Sequence, residues 1–598
     1  MQWGAAAAAG ICAAHGIPAW PGTMPDQPFK AMTLSEFGYG QVAFEPGPLQ
    51  RQFEENHQLL LNMNEDSLLR PFRVREGLPA PGVEMGGWYG TNGSAPACPY
   101  GQWLSALARM YAVTRDQPTY DKIDRMIRGY SATLELAGKF YENYRFPAYT
   151  YDKLSIGLTD AHVYASHPLA LDVLAHATDA VLPYLPPKAI PHKDPPLPGG
   201  TDDESYTMPE NLFLAWQRTG DKRYYDLAQR FIFHEYFDPL ARGENALPGR
   251  HAYSHVNALS SAAAAYLALG DAKYLHAAKN GFSMVQEQSY ATGGWGPDEH
   301  FIWPGKGQLG ESLKTFHDSF ETPCGAYAHF RIARYLLRIT GDASYADSME
   351  QVLYNTVLGA KPIQPDGSSF YYSDYTFKGS KTYFGGKWPC CSGTLPQIAA
   401  DYHISAYFRG ATGVYVNLYV PSTLRWKEAG AQFALRQVTD YPYDGHIRLD
   451  MTSSSAATFS VFLRIPEWAR GASLRVNGMR GSQKPAPGSF AEIRRQWKTG
   501  DRIELELPFV SRLKSVDEQH PDTVALVSGP LVLMALRENG QDLAREEAME
   551  RAVLLSAEQT SAGAHEWVAG TGPGKARLKP FLDIQDEAYT TYLKVAPD

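Results

Sequence analysis

The sequence predicts a multidomain α+β protein: an (α/α)₆ barrel over residues 31–411, followed by a β-sandwich over 412–540. Three observations carry this. Segments between about 50 and 410 repeat one unit, a helix, a short break and a second helix. Long spacers rich in Gly, Pro and aromatic residues separate the units. Beyond 412 the apolar pattern changes from three- and four-residue spacing to strict alternation.

The hairpin units are LSALARMYAVTRDQPTYDKIDRMIRGY (104–130), ENLFLAWQRTGDKRYYDLAQRFIFHEY (210–236), VNALSSAAAAYLALGDAKYLHAAKNGFSMV (256–285) and FRIARYLLRITGDASYADSMEQVLYNTVL (330–358). In three of them a Gly-Asp pair closes one helix and opens the next: Gly suits a left-handed helix end, and Asp accepts from free N–H groups at a helix start. Such hairpins close readily into a toroid whose inner helices surround a pocket, and an open helical solenoid is the competing arrangement. The spacers, such as GGWYGTNGSAPACPYGQW and GGWGPDEHFIWPGKGQLGES, are longer than a connection needs, which marks them as the rim of a cleft. GVYVNLYVPSTLRW, HIRLDMTSSSAATFSVFLRIPEW, ASLRVNG and RIELELPFVSRL then alternate as strands between Gly, Asn and Asp turns. GYGQVAFEPG at 38–47 is a candidate to join that sandwich, and the tail at 541–598 is expected to return onto it as a small β element.

Composition narrows the function classes. A net charge of −9 and the absence of any Lys/Arg-rich run argue against a nucleic-acid partner. No apolar run reaches the length of a membrane span. Aromatic residues make up 12%, and Tyr and Trp offer apolar faces with polar edges that suit sugar rings, although most must serve the core. The opening MQWGAAAAAGICAAHGIPAWPG resembles the apolar and cleavage regions of an export signal without its basic start, so residues 1–30 are expected to be a signal or a disordered leader and the protein periplasmic or secreted.

Five cysteines are too few to staple 598 residues with disulfides, yet three fall in ETPC (321–324) and WPCCSG (388–393). Glu321, Cys324, Cys390 and Cys391 form a plausible tetrahedral zinc shell; buried inert thiols or a reactive thiolate are the other readings of the same residues. TGGWGPDEHF presents Asp298, Glu299 and His300 on a glycine-fixed loop beside Trp295, as a general acid with a raised pKa or as a solvated turn. His251 and His255 lie four residues apart at a helix start, suited to a substrate hydrogen bond or to cap packing. Lys153, Asp160 and His162 complete the pocket candidates.

Taken jointly, FRVREGLP, GGWYG, LSALARMYAVT, TGGWGPDEHF, ETPCGAYAHF, WPCCSGTLPQ and GVYVNLYVPS resemble glycoside hydrolase family 127, the β-L-arabinofuranosidase-type family, over roughly residues 35–540. The resemblance implies an (α/α)₆ barrel with β-sandwich domains and a retaining hydrolase that uses a zinc-held cysteine thiolate. Carried over, Cys390 is the nucleophile, Glu299 the general acid/base, and Glu321, Cys324 and Cys391 the remaining Zn²⁺ ligands. Trp88, Lys153, His162, His251, His255 and Trp295 are the candidate sugar-binding residues. The expected substrate is a terminal sugar of an oligosaccharide or polysaccharide, β-L-arabinofuranose or a related sugar, cleaved by a monomer or homodimer. The sequence departs from the family's Glu-Thr-Cys by inserting Pro323, which shifts the angle between two ligands, and it places Lys153 where a histidine is expected, which suits an acidic or modified sugar. The competing functions are an (α/α) barrel glycan lyase or unsaturated-uronyl hydrolase with a Tyr/His/Asp set, and a non-catalytic glycan-binding protein.

Overall fold

The computed structural model describes residues 32–134, 139–193, 199–480, 484–537, 549–561, 564–571 and 575–596. The leader at 1–30 and residues 541–548 of the tail lie outside these described residues. Among them, no helix is long and apolar enough to cross a membrane.

Six inner helices form the barrel: Tyr100–Thr114, Pro147–Ala165, Met208–Thr219, Ala252–Leu269, Thr322–Thr340 and Cys391–Ser405. Each packs on the next, and Cys391–Ser405 packs back on Tyr100–Thr114, so the ring is closed and the open solenoid is excluded. The outer layer is Gln117–Leu134, Ala170–Val181, Lys222–Arg230, Ala272–Glu287 and Ser344–Asn355. The sixth inner helix takes its outer partner from the N-terminal side, Pro48–Asn62, fastened by the Tyr402 hydroxyl donating to Gln52 Oε1 at 2.6 Å.

The sequence explains the layering. Outer helices are amphipathic: Gln117–Leu134 buries Ile123, Met126, Ile127 and Tyr130 along one stripe. Inner helices are buried almost all round, and close crossing demands small residues. A Cβ on Gly101 would meet the Lys153 carbonyl oxygen at 2.1 Å, and one on Gly157 would meet the Gly101 oxygen at 2.4 Å. The Gly-Asp breaks behave as their chemistry requires. Gly220, Gly270 and Gly341 are left-handed, and the Asp221 and Asp271 carboxylates accept the N–H groups of Arg223 and Lys273.

Two sheets make the sandwich. One runs Ser35–Glu36, Tyr407–Gly410, Gly413–Val416, Ala457–Ile465, Ser489–Trp497; the other has seven strands with Val42–Phe44 at its edge beside Ser422–Glu428. The 38–47 segment therefore joins it. Domain limits differ from the sequence expectation in two places. Tyr407–Gly410 and Ser35–Glu36, assigned to the barrel by their position, belong to the sandwich. Ser511–Ser515, Thr523–Ser528 and Leu531–Leu536, assigned to the sandwich, instead pair with the C-terminal strands in a third sheet. The last two of these strands are buried at every position, and such continuous apolar runs carry no alternation to reveal which sheet they enter.

The sandwich is locked to the barrel by Arg464 of Ala457–Ile465, fully buried and paired with Asp347 (2.6 Å) and Glu350 of the outer helix Ser344–Asn355. Arg464→Met leaves two carboxylates without their cation and is expected to cost about 3–5 kcal/mol. Denaturant unfolding measures this, and a loss below about 1 kcal/mol would show that the lock contributes little.

Candidate active site

All six inner helices point their N-terminal ends at one cavity of about 290 Å³. Trp88, Ser94 and Ala95 come from the loop before the first helix, and Tyr149 from the start of the second. Glu204 precedes the third, His251 and Tyr253 begin the fourth, Glu321 begins the fifth and Cys390 the sixth. Helix N-termini carry unpaired N–H groups and partial positive charge, so this end of the barrel favours the ionised form of carboxylate and thiolate side chains placed on it.

The cysteine cluster sits where two of these termini meet. Glu321 is the N-cap position of Thr322–Thr340 and Cys324 its third residue; Cys390 caps Cys391–Ser405 and Cys391 is its first residue. Cys324 Sγ lies 3.3 Å from both Cys390 Sγ and Cys391 Sγ, and Glu321 Oε1 lies 3.4 Å from Cys390 Sγ and 3.8 Å from Cys391 Sγ. Pro323 does not break this set. It stands in the first turn, where a helix uses no N–H group, and Glu321 and Cys324 on either side of it both still reach the cluster.

Neighbouring elements hold the two segments in place. Phe320–Glu321 pairs with Tyr372–Ser373, with Glu321 directly opposite Tyr372, and Thr322 N–H donates to the Tyr371 carbonyl at 2.7 Å. On the other side Trp103 Nε1 donates to the Ser392 carbonyl at 2.8 Å, and its ring packs edge-on against Trp388.

Burial would raise every thiol here, yet the Cys390 thiol is held well below its ordinary range by hydrogen bonds from Cys324, Cys391 and Tyr371. Burial and the neighbouring sulfurs raise Cys324, burial and Cys390 raise Cys391 against a hydrogen bond from Cys324, and burial with the Cys390 charge raises Glu321. Negative charge thus concentrates on Cys390. The Glu321 Oε2 atom is buried without a hydrogen-bond partner. A tetrahedral zinc shell, with bonds of about 2.3 Å to sulfur and 2.0–2.2 Å to carboxylate, has edges of roughly 3.5–3.8 Å, and the distances here, 3.3–3.8 Å, lie at or slightly inside that range. The donor set, its spacing and the orphaned oxygen fit such an ion.

Across the cavity, the TGGWGPDEHF loop delivers Glu299. Asp298 and Glu299 are both left-handed, at φ 54° and 59°, a strained arrangement of the kind found where a side chain must be aimed. Phe301 N–H donates to the Arg250 carbonyl at 3.0 Å and His251 bridges His300, which brings the loop against the start of Ala252–Leu269. His251 Nε2 stands 3.6 Å from Glu299 Oε2, and the Tyr372 hydroxyl donates to Glu299 Oε1. The expected raised pKa of Glu299 is not what the pocket produces. Burial alone would raise it, but hydrogen bonding and charge from His251, together with Tyr372, hold it at about 2. His251 is correspondingly raised, against its burial, by Glu204 and Glu299.

Several expected sugar-binding residues lie elsewhere. Lys153 is buried beneath the cavity, its ammonium over the Tyr149 ring and donating to the Tyr149 carbonyl at 3.2 Å. Trp295 is a plug under the loop, packed on Phe301 and Phe320, with Nε1 donating to His329 at 3.2 Å. His255 lies one turn below His251, boxed by Tyr206, Phe233 and Tyr236. His162 is near the far end of its helix, and Asp160 pairs with Arg109 at 2.8 Å away from the cavity. Inner helices are buried on all sides, so spacing along them does not tell which side chains face the pocket. Trp88 and His251 do line it.

Sequence inspection missed Tyr149, His192, Glu204, Tyr253 and Tyr371, all of which line the cavity, and Tyr372, which holds Glu299. The DDES run just ahead of a helix and the FYYSDY cluster were the available signals. Glu204, Glu299 and the Cys390 sulfur outweigh His251 and an Arg145 already paired with Asp202, so the lining is acidic. That charge disfavours the acidic sugar suggested by Lys153.

The family model for the β-L-arabinofuranosidase GH127 catalytic domain matches residues 41–403, and that for the GH127 middle domain matches 413–509. Among solved structures, a GH127 β-L-arabinofuranosidase from Geobacillus stearothermophilus T6 is 20% identical, with a TM-score of 0.71 over 93% of this chain and 100% of that one. The GH127 β-arabinofuranosidase BT3674 is 19% identical, with a TM-score of 0.73 over 95% and 98%. These likenesses speak to the fold. No curated protein matches the chain.

Proposed function

The chain belongs to glycoside hydrolase family 127, and from that premise we propose that it is an exo-acting, retaining hydrolase that releases a terminal neutral sugar of the β-L-arabinofuranosyl type. One observation carries the proposal: a thiol driven toward its anionic form and a glutamate flanked by proton donors line the same small cavity. The cavity's size, its acidic lining and its aromatic residues suit one uncharged sugar ring entering end-on.

In the first displacement the Cys390 sulfur attacks the anomeric carbon, the bond to the leaving oxygen breaks, and that oxygen takes a proton from the Glu299–His251 pair. In the second, Glu299 accepts a proton from water, the resulting hydroxide attacks the same carbon, and the carbon–sulfur bond breaks. Two inversions give net retention. The Tyr371 hydroxyl, 3.4 Å from Cys390 Sγ, stabilises the sulfur while it is anionic. Zinc, held by Glu321, Cys324, Cys390 and Cys391, would supply the positive charge that keeps these buried sulfurs ionised.

Proton NMR of the first-formed product is expected to show the substrate's own anomeric configuration, with neutral L-furanosides turned over and uronides left untouched. An inverted product would refute the mechanism, and turnover of uronides alone would refute the substrate class. Elemental analysis is expected to find about one zinc per chain, with activity lost on chelation and regained on zinc addition. Full activity in metal-free protein would remove zinc from the account.

A further inference from the structure

We propose that Glu204 is a positioning residue that, through His251, fixes where the exchangeable proton of the Glu299–His251 pair resides. This rests on the reading of Glu299 as acid and base. Glu204 is 5% exposed and lies just ahead of the 3₁₀ turn Ser205–Thr207. Its Oε1 stands 3.2 Å from His251 Nδ1, while His251 Nε2 faces Glu299. The chain Glu204–His251–Glu299 thus joins an orienting carboxylate, an imidazole and the reacting carboxylate.

The chemistry follows from what each atom can do. An ionised carboxylate only accepts, so Glu204 requires hydrogen on Nδ1. The Ser254 hydroxyl, 2.9 Å from Nδ1 and 2.8 Å from the Tyr206 hydroxyl, could accept or donate and would not by itself fix the tautomer. With Nδ1 committed to Glu204, Nε2 becomes the only site that exchanges a proton, and Glu299 is what it faces. At 3.6 Å the two are an ion pair that a small side-chain rotation makes into a hydrogen bond. One proton then serves both steps. It passes from Nε2 to Glu299 and on to the leaving oxygen, and the proton that Glu299 later takes from water restores it.

The surroundings favour this arrangement. His192 stacks on His251 with ring centres 4.6 Å apart, its Nε2 lying 3.8 Å from the same Glu204 oxygen. The other oxygen, Oε2, is buried without a hydrogen-bond partner, so the compensation of Glu204's charge falls chiefly to the imidazoles. Lys153 and Asp203 beside Glu204, His300 beside Glu299, and Glu321 are further titratable groups whose charge reaches this chain. His192, Glu204 and His251 are also close enough together to be weighed as metal ligands, and the test separates that use.

The test is Glu204→Gln in the full-length protein, read as kcat/KM on two aryl glycosides of one sugar. With a phenol leaving group, which needs a proton, a loss of roughly 10- to 100-fold is expected. With a dinitrophenol leaving group, which needs none, the loss should stay within about threefold. Glu204→Asp, which keeps the charge, should lie above Glu204→Gln on the phenol substrate. Equal losses on both substrates, no loss at all, or an Asp variant worse than the Gln variant would overturn the proposal, as would a second zinc per chain that disappears in Glu204→Gln. Glu299→Gln is measured in parallel. If it shows no dependence on the leaving group, the acid/base reading fails and takes this proposal with it. If it shows that dependence and Glu204→Gln does not, only the role of Glu204 fails.

Discussion

Cys390→Ala is expected to lower kcat by roughly 10⁴-fold or more, about 5 kcal/mol of transition-state stabilisation, because no other group in the pocket replaces the attacking sulfur. The serine variant should be as inactive. An alkoxide is far harder to form than a thiolate, because a hydroxyl is a far weaker acid than a thiol. Both variants lose a candidate zinc ligand, so a loss of activity alone does not separate nucleophile from ligand. Cys391→Ala supplies the contrast: it removes one ligand and leaves the nucleophile, so a metal-replete sample should retain far more activity than Cys390→Ala. Activity in Cys390→Ser comparable to that of Cys391→Ala would make Cys390 a structural ligand only. Unfolding midpoints of all three variants report whether the fold survives.

Glu299→Gln is expected to lower kcat/KM for a phenyl glycoside by roughly 10²- to 10⁴-fold, and to do far less to a dinitrophenyl glycoside. The first step loses its proton donor, which matters only where the leaving oxygen needs one. The second step loses its base whatever the leaving group was, so turnover of the activated substrate should begin with a burst and then stall. Glutamine keeps the size of the side chain and can still accept from the Tyr372 hydroxyl, so the loop geometry is retained while the charge is removed. A uniform loss across leaving groups, with no burst, would assign Glu299 to substrate binding.

The chemistry-bearing residues were legible where chain neighbours carry them. ETPC, WPCC and GPDEHF each place reactive groups within a few positions, and the structure gathers all three around one cavity. Pro323 looked like an obstacle because spacing is easily counted as distance, whereas in the first turn of a helix one added residue rotates a side chain by about 100° without removing it from the helix end. Glu204, His192 and Tyr372 could not be found in the same way. Tyr372 meets the site through a strand pair with Glu321, a residue far from it along the chain. Glu204 and His192 meet His251 only because the barrel closes. Lys153, Trp295 and His255 show the reverse error. They flank genuine pocket positions, but depth along a fully buried helix or beneath a loop leaves no trace in polarity patterning. The same limit hid the third sheet, since strands buried on both faces look alike whichever partner they take.

Sulfur, and no carboxylate, is expected to form the bond to the sugar. Glu299→Gln incubated with a dinitrophenyl glycoside and digested at low pH for peptide mass spectrometry tests it most directly. A peptide containing Cys390 heavier by one glycosyl group is expected, accumulating during the burst and decaying only slowly after the substrate is exhausted. A glycosyl group found on Glu321 or on any other carboxylate, or a burst with no adduct on Cys390, would contradict it.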